Sequence, residues 1–156
     1  MVTLFIAITV VDFFEPIIAA LVTLAIFLPL VSGEGGNAGS QTATVIVRGL
    51  ALGELSVSDT RRALSKELKV SFINGAIIGL GTGLVAFVWK QDWRIAAAIF
   101  LAMILNFLMA ASTGVLIPLG LQKMKVDPAL ASAAFVTGFT DTFGFLFFLG
   151  IVALLM

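Results

Sequence analysis

The stretch from Pro29 to Gln41 constrains this chain most, because it places four glycines and several polar residues between long apolar segments. The chain is 60% hydrophobic, with a mean hydropathy of +1.16, which is typical of an integral membrane protein. A bilayer cannot hydrogen-bond exposed backbone, so loosened backbone survives there only against protein or a water-filled cavity. We therefore interpret this stretch as the candidate lining of a path through the membrane.

The composition also limits the chemistry that the chain can perform. It contains no cysteine and no histidine, which excludes disulfides, the usual zinc ligands and the commonest general base. A bound metal would need oxygen ligands, and these suit hard cations such as magnesium, calcium or manganese. The zero net charge and the lack of a basic stripe argue against nucleic acid as a partner.

The pattern of apolar runs predicts an all-α fold: a polytopic membrane bundle of five transmembrane segments in a single domain, 1–156. The first segment is short, about 18 Å of helix against a hydrocarbon core of roughly 30 Å. It lacks the basic leader of a signal peptide, so we expect a retained helix. The predicted segments are 2–14, 16–52 with a break near 33–40, 70–89, 95–119 and 129–155, with an amphipathic elbow at 56–69.

Short motifs indicate how these segments begin and meet. Asp127-Pro128 is a good helix start, because aspartate caps a helix and proline suits its first turn. Gly75, Gly79 and Gly83 recur at four-residue spacing, which predicts a close helix–helix contact in lipid.

Basic residues predict the orientation of the chain. The link between the second and third segments carries Arg48, Arg61, Arg62, Lys66 and Lys69, whereas the next two links carry two basic residues each. The positive-inside rule then puts this elbow in the cytoplasm. The N-terminus is predicted to be cytoplasmic and the C-terminus to lie outside.

Asp141 is a carboxylate inside the last apolar segment, with Thr137 one helical turn before it. An ionisable residue at membrane depth is costly, so it is by default a candidate for function. Intramembrane hydrolysis by aspartates would need a second acid in the same site, and Asp12 lies in a distant segment near the interface. A purely structural scaffold would have no need of this acid opposite a glycine-rich stretch.

Several motifs resemble the membrane domain of the MgtE family of magnesium channels. They run through nearly the whole chain in the family's order. The matching motifs are Phe14-Glu15, Pro29-Leu30, Gly35-Gly36-Asn37-Ala38-Gly39-Ser40-Gln41, Val47-Arg48-Gly49-Leu50-Ala51-Leu52-Gly53-Glu54, Asp127-Pro128-Ala129 and Thr140-Asp141-Thr142-Phe143-Gly144.

The resemblance implies a homodimer in which the ion path follows the two-fold axis between the second and fifth helices. The family's central magnesium site corresponds to Asp141, and the asparagine of its glycine-rich block corresponds to Asn37. Typical members carry a soluble regulatory region before the membrane domain, and we expect no such domain in this chain. Glu34 occupies a position that is often uncharged in the family.

We therefore predict selective conduction of magnesium rather than an enzymatic activity. Magnesium keeps several of its waters, so a path for it needs negative charge and acceptors placed for water-mediated contact. Manganese, cobalt and calcium are the expected competing ions. The predicted metal-site residues are Asp141, Asn37, Gly33, Gly36 and Thr137, followed by Glu34, Thr140 and Glu15.

The roles differ among these residues. Asp141 supplies the charge, Asn37 an amide oxygen, and Gly33 and Gly36 backbone carbonyls freed by the helix break. Sodium- or proton-coupled exchange of divalent cations at the same site is the alternative that these residues leave open, because a broken helix serves transporters as well as channels. The expected location is the inner membrane of a prokaryote.

Overall fold

The chain is built of α-helices joined by short turns in the computed structural model, which describes residues 2–20, 22 and 24–155. Side chains are described for these residues apart from 2, 20 and 130–132. No β-strand occurs in these ranges, and the predicted all-α class is confirmed. The helices are α1 (Val2–Phe13), α2 (Glu15–Ala20), α3 (Leu24–Ala51), α4 (Thr60–Lys90), α5 (Trp93–Lys123) and α6 (Pro128–Leu155), and a 3₁₀ turn (Val57–Asp59) precedes α4.

Three helices of the described chain are long and apolar enough to cross a membrane, at residues 57–90, 93–123 and 133–155. They make the protein a membrane helix bundle. α1 is apolar but has only 12 residues, and the middle of α3 is diluted by serine, glutamate, asparagine and glutamine. The total of five spans therefore stays a prediction. Residues 21 and 23, inside the predicted second segment, lie outside the described residues.

α5 is the centre of the bundle, since α3, α4 and α6 all pack against it. α6 also packs against α3 and α1. Gly35 of α3 meets Asn106 and Gly39 meets Ala110, so α3 and α5 run in the same direction. The common core contains Leu24, Val31, Ile99, Met103 and Phe148, each completely buried.

The predicted break near 33–40 is wrong, because α3 continues as a helix from Leu24 through Ala51. The physical reason lies in its packing. Gly35 lies against the Asn106 side chain, and a Cβ at Gly39 would come within 2.5 Å of Val136. Glycine without a Cβ allows such close approach between helices in lipid, so these glycines serve packing instead of unwinding.

The predicted elbow at 56–69 is not a separate helix, because α4 runs from Thr60 to Lys90 without interruption. The 3₁₀ turn that leads into α4 is capped by Ser56, whose amide and hydroxyl donate to the Asp59 carboxylate at 2.9 and 2.6 Å. No proline or glycine stands between Thr60 and Asn74 to end the helix there. The charged residues of the elbow thus form the first turns of a membrane helix.

Two local predictions are confirmed. α6 begins at Pro128, and the Asp127 carboxylate accepts a 2.9 Å hydrogen bond from the Ala129 amide. Gly79 faces α5 so closely that a Cβ there would lie 3.0 Å from the Phe100 carbonyl and from the Met103 Cβ.

Candidate ion-binding site

Asp141 lies near the middle of α6, half-buried, in a groove between α1 and α6. The groove has a volume of about 530 Å³ and is lined chiefly by small and apolar side chains. Ser32 of α3 is the polar neighbour of the Asp141 carboxylate. We call this space the Asp141 groove; its lining residues are Thr3, Leu4, Ala7, Ala133, Ala134, Thr137, Gly138, Asp141 and Phe145.

Small residues bring Ser32 and Asp141 together. α3 and α6 pack antiparallel, and a Cβ at Gly144 would lie 3.3 Å from the Ser32 Cα. One turn along, a Cβ at Gly36 would be 3.7 Å from both the Thr137 Cγ2 and the Thr140 Oγ1. Larger residues at these crossing points would force the two helices apart.

Asn106 of α5 packs against the same crossing of α3 and α6 from the α5 side. Its side chain is completely buried and donates a 2.8 Å hydrogen bond from Nδ2 to the Val31 carbonyl. Its Oδ1 has no hydrogen-bond partner, and no other buried side-chain oxygen or nitrogen in the described part of the chain lacks one. The side chain fits because Gly35 and Gly144 leave room for it.

The threonines near Asp141 divide into two kinds. Thr140 is buried, and its hydroxyl donates to the Val136 and Thr137 carbonyls at 3.1 and 3.0 Å, so its proton is used inside α6. Thr142 donates likewise to the Gly138 carbonyl at 2.8 Å. Thr137 is exposed in the Asp141 groove, where its hydroxyl is accessible to water.

Asn37 and Gly33 lie on one exposed face of α3. Gly33, Asn37, Thr44 and Arg48 are all exposed, and their spacing of four, seven and four residues puts them on the same side of the helix. We call them the exposed α3 face. It borders the α6 side of α3, and the structure gives no contact between Asn37 and Asp141 within the chain.

The structure also differs from the roles predicted for the α3 glycines and for Glu34. Gly33 and Gly36 are inside a continuous helix, where carbonyls accept the amide hydrogen bond from four residues ahead. The prediction that a helix break frees their carbonyls to face an ion path therefore has no support. Gly36 is also buried against α6. Glu34 is half-buried and, at 100° per residue, lies on the side of α3 turned away from Ser32 and Asp141.

Glu15 lies far from Asp141. With Asp12 it lines an apolar groove between α1 and α2, which shares Leu4, Ala7 and Phe145 with the Asp141 groove. The neighbouring Phe14 ring approaches Gly150, which is nine residues beyond Asp141 on α6. At 1.5 Å per residue, this separation is about 14 Å along the helix axis.

Ser32 and Asn106 are site residues that the sequence alone did not single out. Ser32 stands beside the glycines of the 29–41 stretch, and only the α3–α6 crossing shows that it faces Asp141. Asn106 is a lone amide in an apolar run, a pattern that indicates contact with another helix but not with which one.

The arrangement suits water-mediated rather than direct binding of a cation. Among the described residues, no three acidic side chains converge to form a ligand cluster. The Asp141 groove offers a carboxylate with the Thr137 and Ser32 hydroxyls nearby, which are partners for the water shell of a hard cation.

Comparison with known proteins agrees with this chemistry. The profile of the MgtE family, described as a divalent cation transporter, matches residues 28–151. The chain is 31% identical to the magnesium transporter MgtE of Bacillus subtilis, over 143 residues. It is 32% identical to that of Enterococcus faecalis and 33% identical to that of Thermus thermophilus.

Each of these matches covers 92% of this chain and 32% of the relative, so the chain spans about a third of the length of these relatives. The match includes α3 from Leu28 onward, all of α4 and α5, and α6 as far as Ile151. It therefore contains Ser32, Asn37, Asn106 and Asp141. The chain is an integral membrane protein that belongs to the MgtE family, a family of divalent cation transporters and not of enzymes.

Proposed function

We propose that two copies of this chain form a selective path for magnesium, in which the hydrated ion is held between their Asp141 side chains. The observation that carries the proposal is Asp141 itself, a half-buried carboxylate midway along an apolar membrane helix. A charge at this depth is expensive, and such residues typically mark ion pathways. The names of the three relatives, all magnesium transporters, support magnesium as the ion.

A pair of Asp141 carboxylates would favour a divalent cation over a monovalent one. Two like charges in one site repel each other, and a divalent cation between them relieves that repulsion. A two-fold axis supplies such a pair from one residue per chain. A magnesium ion keeps its inner waters, and the carboxylates accept hydrogen bonds from them.

The exposed α3 face supports the homodimer. Polar side chains such as Asn37 and Thr44 on a membrane helix are poorly matched to lipid tails, and nothing within the single chain covers them. Placing this face on the two-fold axis beside the Asp141 groove would line the path with Asn37 as an acceptor and Gly33 as a wall without a side chain. Thr137 contributes a hydroxyl to the ion's water shell on the same side.

Location and selectivity follow from the same proposal. The chain sits in a prokaryotic inner membrane with the basic start of α4 and the N-terminus in the cytoplasm, and with the C-terminus outside. Manganese, cobalt and calcium compete with magnesium to the extent that they too are bound through water. The movement is conduction down the electrochemical gradient.

Replacement of Asp141 tests the site. We expect Asp141→Asn to reduce magnesium uptake by proteoliposomes to the level of empty vesicles, because the amide keeps the shape of the side chain but removes its charge. Asp127→Asn is the matched control, since asparagine caps a helix as well as aspartate does and Asp127 lies outside the groove.

Size-exclusion chromatography with light scattering should show the same assembly for both variants and the parent protein. Parent-like uptake by Asp141→Asn would exclude Asp141 as the ion site. Uptake by the parent protein that requires an opposing sodium or proton gradient would instead indicate coupled exchange.

A further inference from the structure

A second polar space lies about 100° around α3 from the exposed α3 face, on the side turned toward α4. α3 and α4 both pack against α5 but not closely against each other, which leaves a groove between them. The groove has a volume of about 190 Å³, and Phe107 of α5 is part of its lining. We call it the α3/α4 groove; it is lined by Ala38, Gln41, Thr42, Val45, Glu67, Val70, Ser71, Asn74 and Phe107.

Polar side chains converge on this groove from two helices. Glu67, Ser71 and Asn74 are spaced by four and three residues, so they form one stripe along α4. Gln41 and Thr42 face them from α3. The groove thus contains one carboxylate, two amides and two hydroxyls, all of which offer oxygen atoms to a ligand.

These groups are not paired with one another. Ser71 and Thr42 are 5% and 8% exposed, respectively. Thr82, Ser112 and Thr113 each donate a hydroxyl hydrogen bond to a carbonyl one turn back along the helix. In the described part of the chain, the Ser71 and Thr42 hydroxyls make no such bond. Among the described residues, the side-chain hydrogen bond that joins two helices is donated by Asn106, which lies outside this groove. Neither oxygen is sealed inside the protein, so both hydroxyls open onto the groove and can bond to water or to a ligand that enters it.

The charge of the groove selects a cation. The basic residues that begin α4 are Arg61, Arg62, Lys66 and Lys69, and at about 100° per residue each of them points roughly 100° or more away from Glu67. No basic side chain lines the groove, which therefore carries the negative charge of Glu67 unbalanced. An anion such as a lipid phosphate would be repelled from it.

We propose that the α3/α4 groove is a second cation-binding site, which takes a hydrated divalent cation with Glu67 as its charged group. Magnesium-type sites commonly use one or two carboxylates and keep several waters, and this groove has one carboxylate and space for an ion with water. Gln41, Thr42, Ser71 and Asn74 hydrogen-bond those waters. The site is distinct from the Asp141 groove and does not depend on the function proposed for Asp141.

Manganese, a paramagnetic substitute for magnesium, tests the proposal on the purified full chain in detergent or nanodiscs. We expect bound Mn²⁺ to broaden the methyl NMR signals of Val45 and Val70, which line the groove, more than that of Val152 in the core. Glu67→Gln should abolish this broadening, with a loss of at least about tenfold in affinity, the lower end of what losing a supporting group costs a metal site. Glu54→Gln, a change of the same kind at an exposed turn, is the control and should leave the broadening intact.

The Asp141→Asn background separates this proposal from the previous one. Broadening of Val45 and Val70 that persists in Asp141→Asn and disappears on adding Glu67→Gln would establish a second site. If Mn²⁺ leaves both methyl signals sharp in the parent protein, or if Glu67→Gln broadens them as the parent does, the groove is a water-filled polar contact and the proposal is wrong. Unchanged signals of Val152 verify that the variants are folded.

Discussion

Asn106 shows how much one buried amide determines at the residue scale. It comes from α5, bonds to the Val31 carbonyl of α3, and occupies space left by Gly35 of α3 and Gly144 of α6. One side chain therefore touches all three helices around Ser32 and Asp141. The fit with Gly35 is so close that any side chain there would collide with the amide.

A double-variant comparison tests this fit. Gly35→Ala should destabilise the protein by about 1–3 kcal/mol through overpacking, and Asn106→Ala by about 1–2 kcal/mol through loss of the interhelical hydrogen bond. Because removal of the amide makes room for the new methyl group, Gly35→Ala/Asn106→Ala should be more stable than the sum of the two losses predicts. Thermal unfolding in one detergent measures this. If the two losses of stability were strictly additive in the double variant, the described contact between Gly35 and Asn106 would be wrong.

At the scale of the element, glycines in membrane helices mark the faces that meet other helices. α4 presents Gly75, Gly79 and Gly83 to α5, and a Cβ at any of them would come within about 3 Å of α5 atoms. Gly81 lies on the other side of the same helix, where a Cβ would meet nothing within 4 Å. Position on the helix, not residue type, decides what each glycine does.

This difference predicts the outcome of two matched substitutions. Gly79→Leu should destabilise the protein by about 3 kcal/mol or more, at the upper end of overpacking costs, because the nearest atoms include the stiff Phe100 carbonyl. Gly81→Leu should be neutral or slightly stabilising, since leucine is the better helix former and faces lipid there. Equal melting temperatures for the two variants would show that α4 and α5 do not pack as described.

At the scale of the whole molecule, some polar surface of the helix bundle is not covered by any other described part of the same chain. The exposed α3 face is on the helix whose Gly36 packs against Thr137 of the Asp141 groove, and both surfaces belong to helices of the apolar bundle. Helices in lipid gain little from apolar association, so polar groups and close packing are what direct assembly. We therefore expect a second copy to meet the first on this side.

Cross-linking tests this assembly directly, because the chain has no cysteine of its own. Asn37→Cys should give a covalent dimer with a short thiol-reactive cross-linker in membranes, since the two copies of residue 37 would face each other near the axis. Val85→Cys is the control, because Val85 is exposed on α4, away from α3 and α6. Preferential dimer formation by Val85→Cys would place the interface elsewhere.

The sequence by itself determined the class of the protein and the position of its charge. The long apolar runs predicted a helical membrane bundle, Asp127-Pro128 predicted the start of α6, and Gly75 to Gly83 predicted a helix contact. These succeed because hydropathy, capping and small-residue spacing act locally along one helix. Asp141 stands out in the sequence for the same reason, as a charge where lipid disfavours one.

Only the tertiary structure decided what the glycine-rich stretch does. The lack of a Cβ permits both a broken helix and a close helix crossing, and the sequence cannot distinguish them because the choice depends on which partner is present. Here Asn106, Val136 and Thr140 fill the space beside the glycines, and α3 stays helical. The same packing set Ser32 beside Asp141, turned Glu34 away from it, and left the α3/α4 groove open. These are contacts between residues distant in the chain, and no local pattern encodes them.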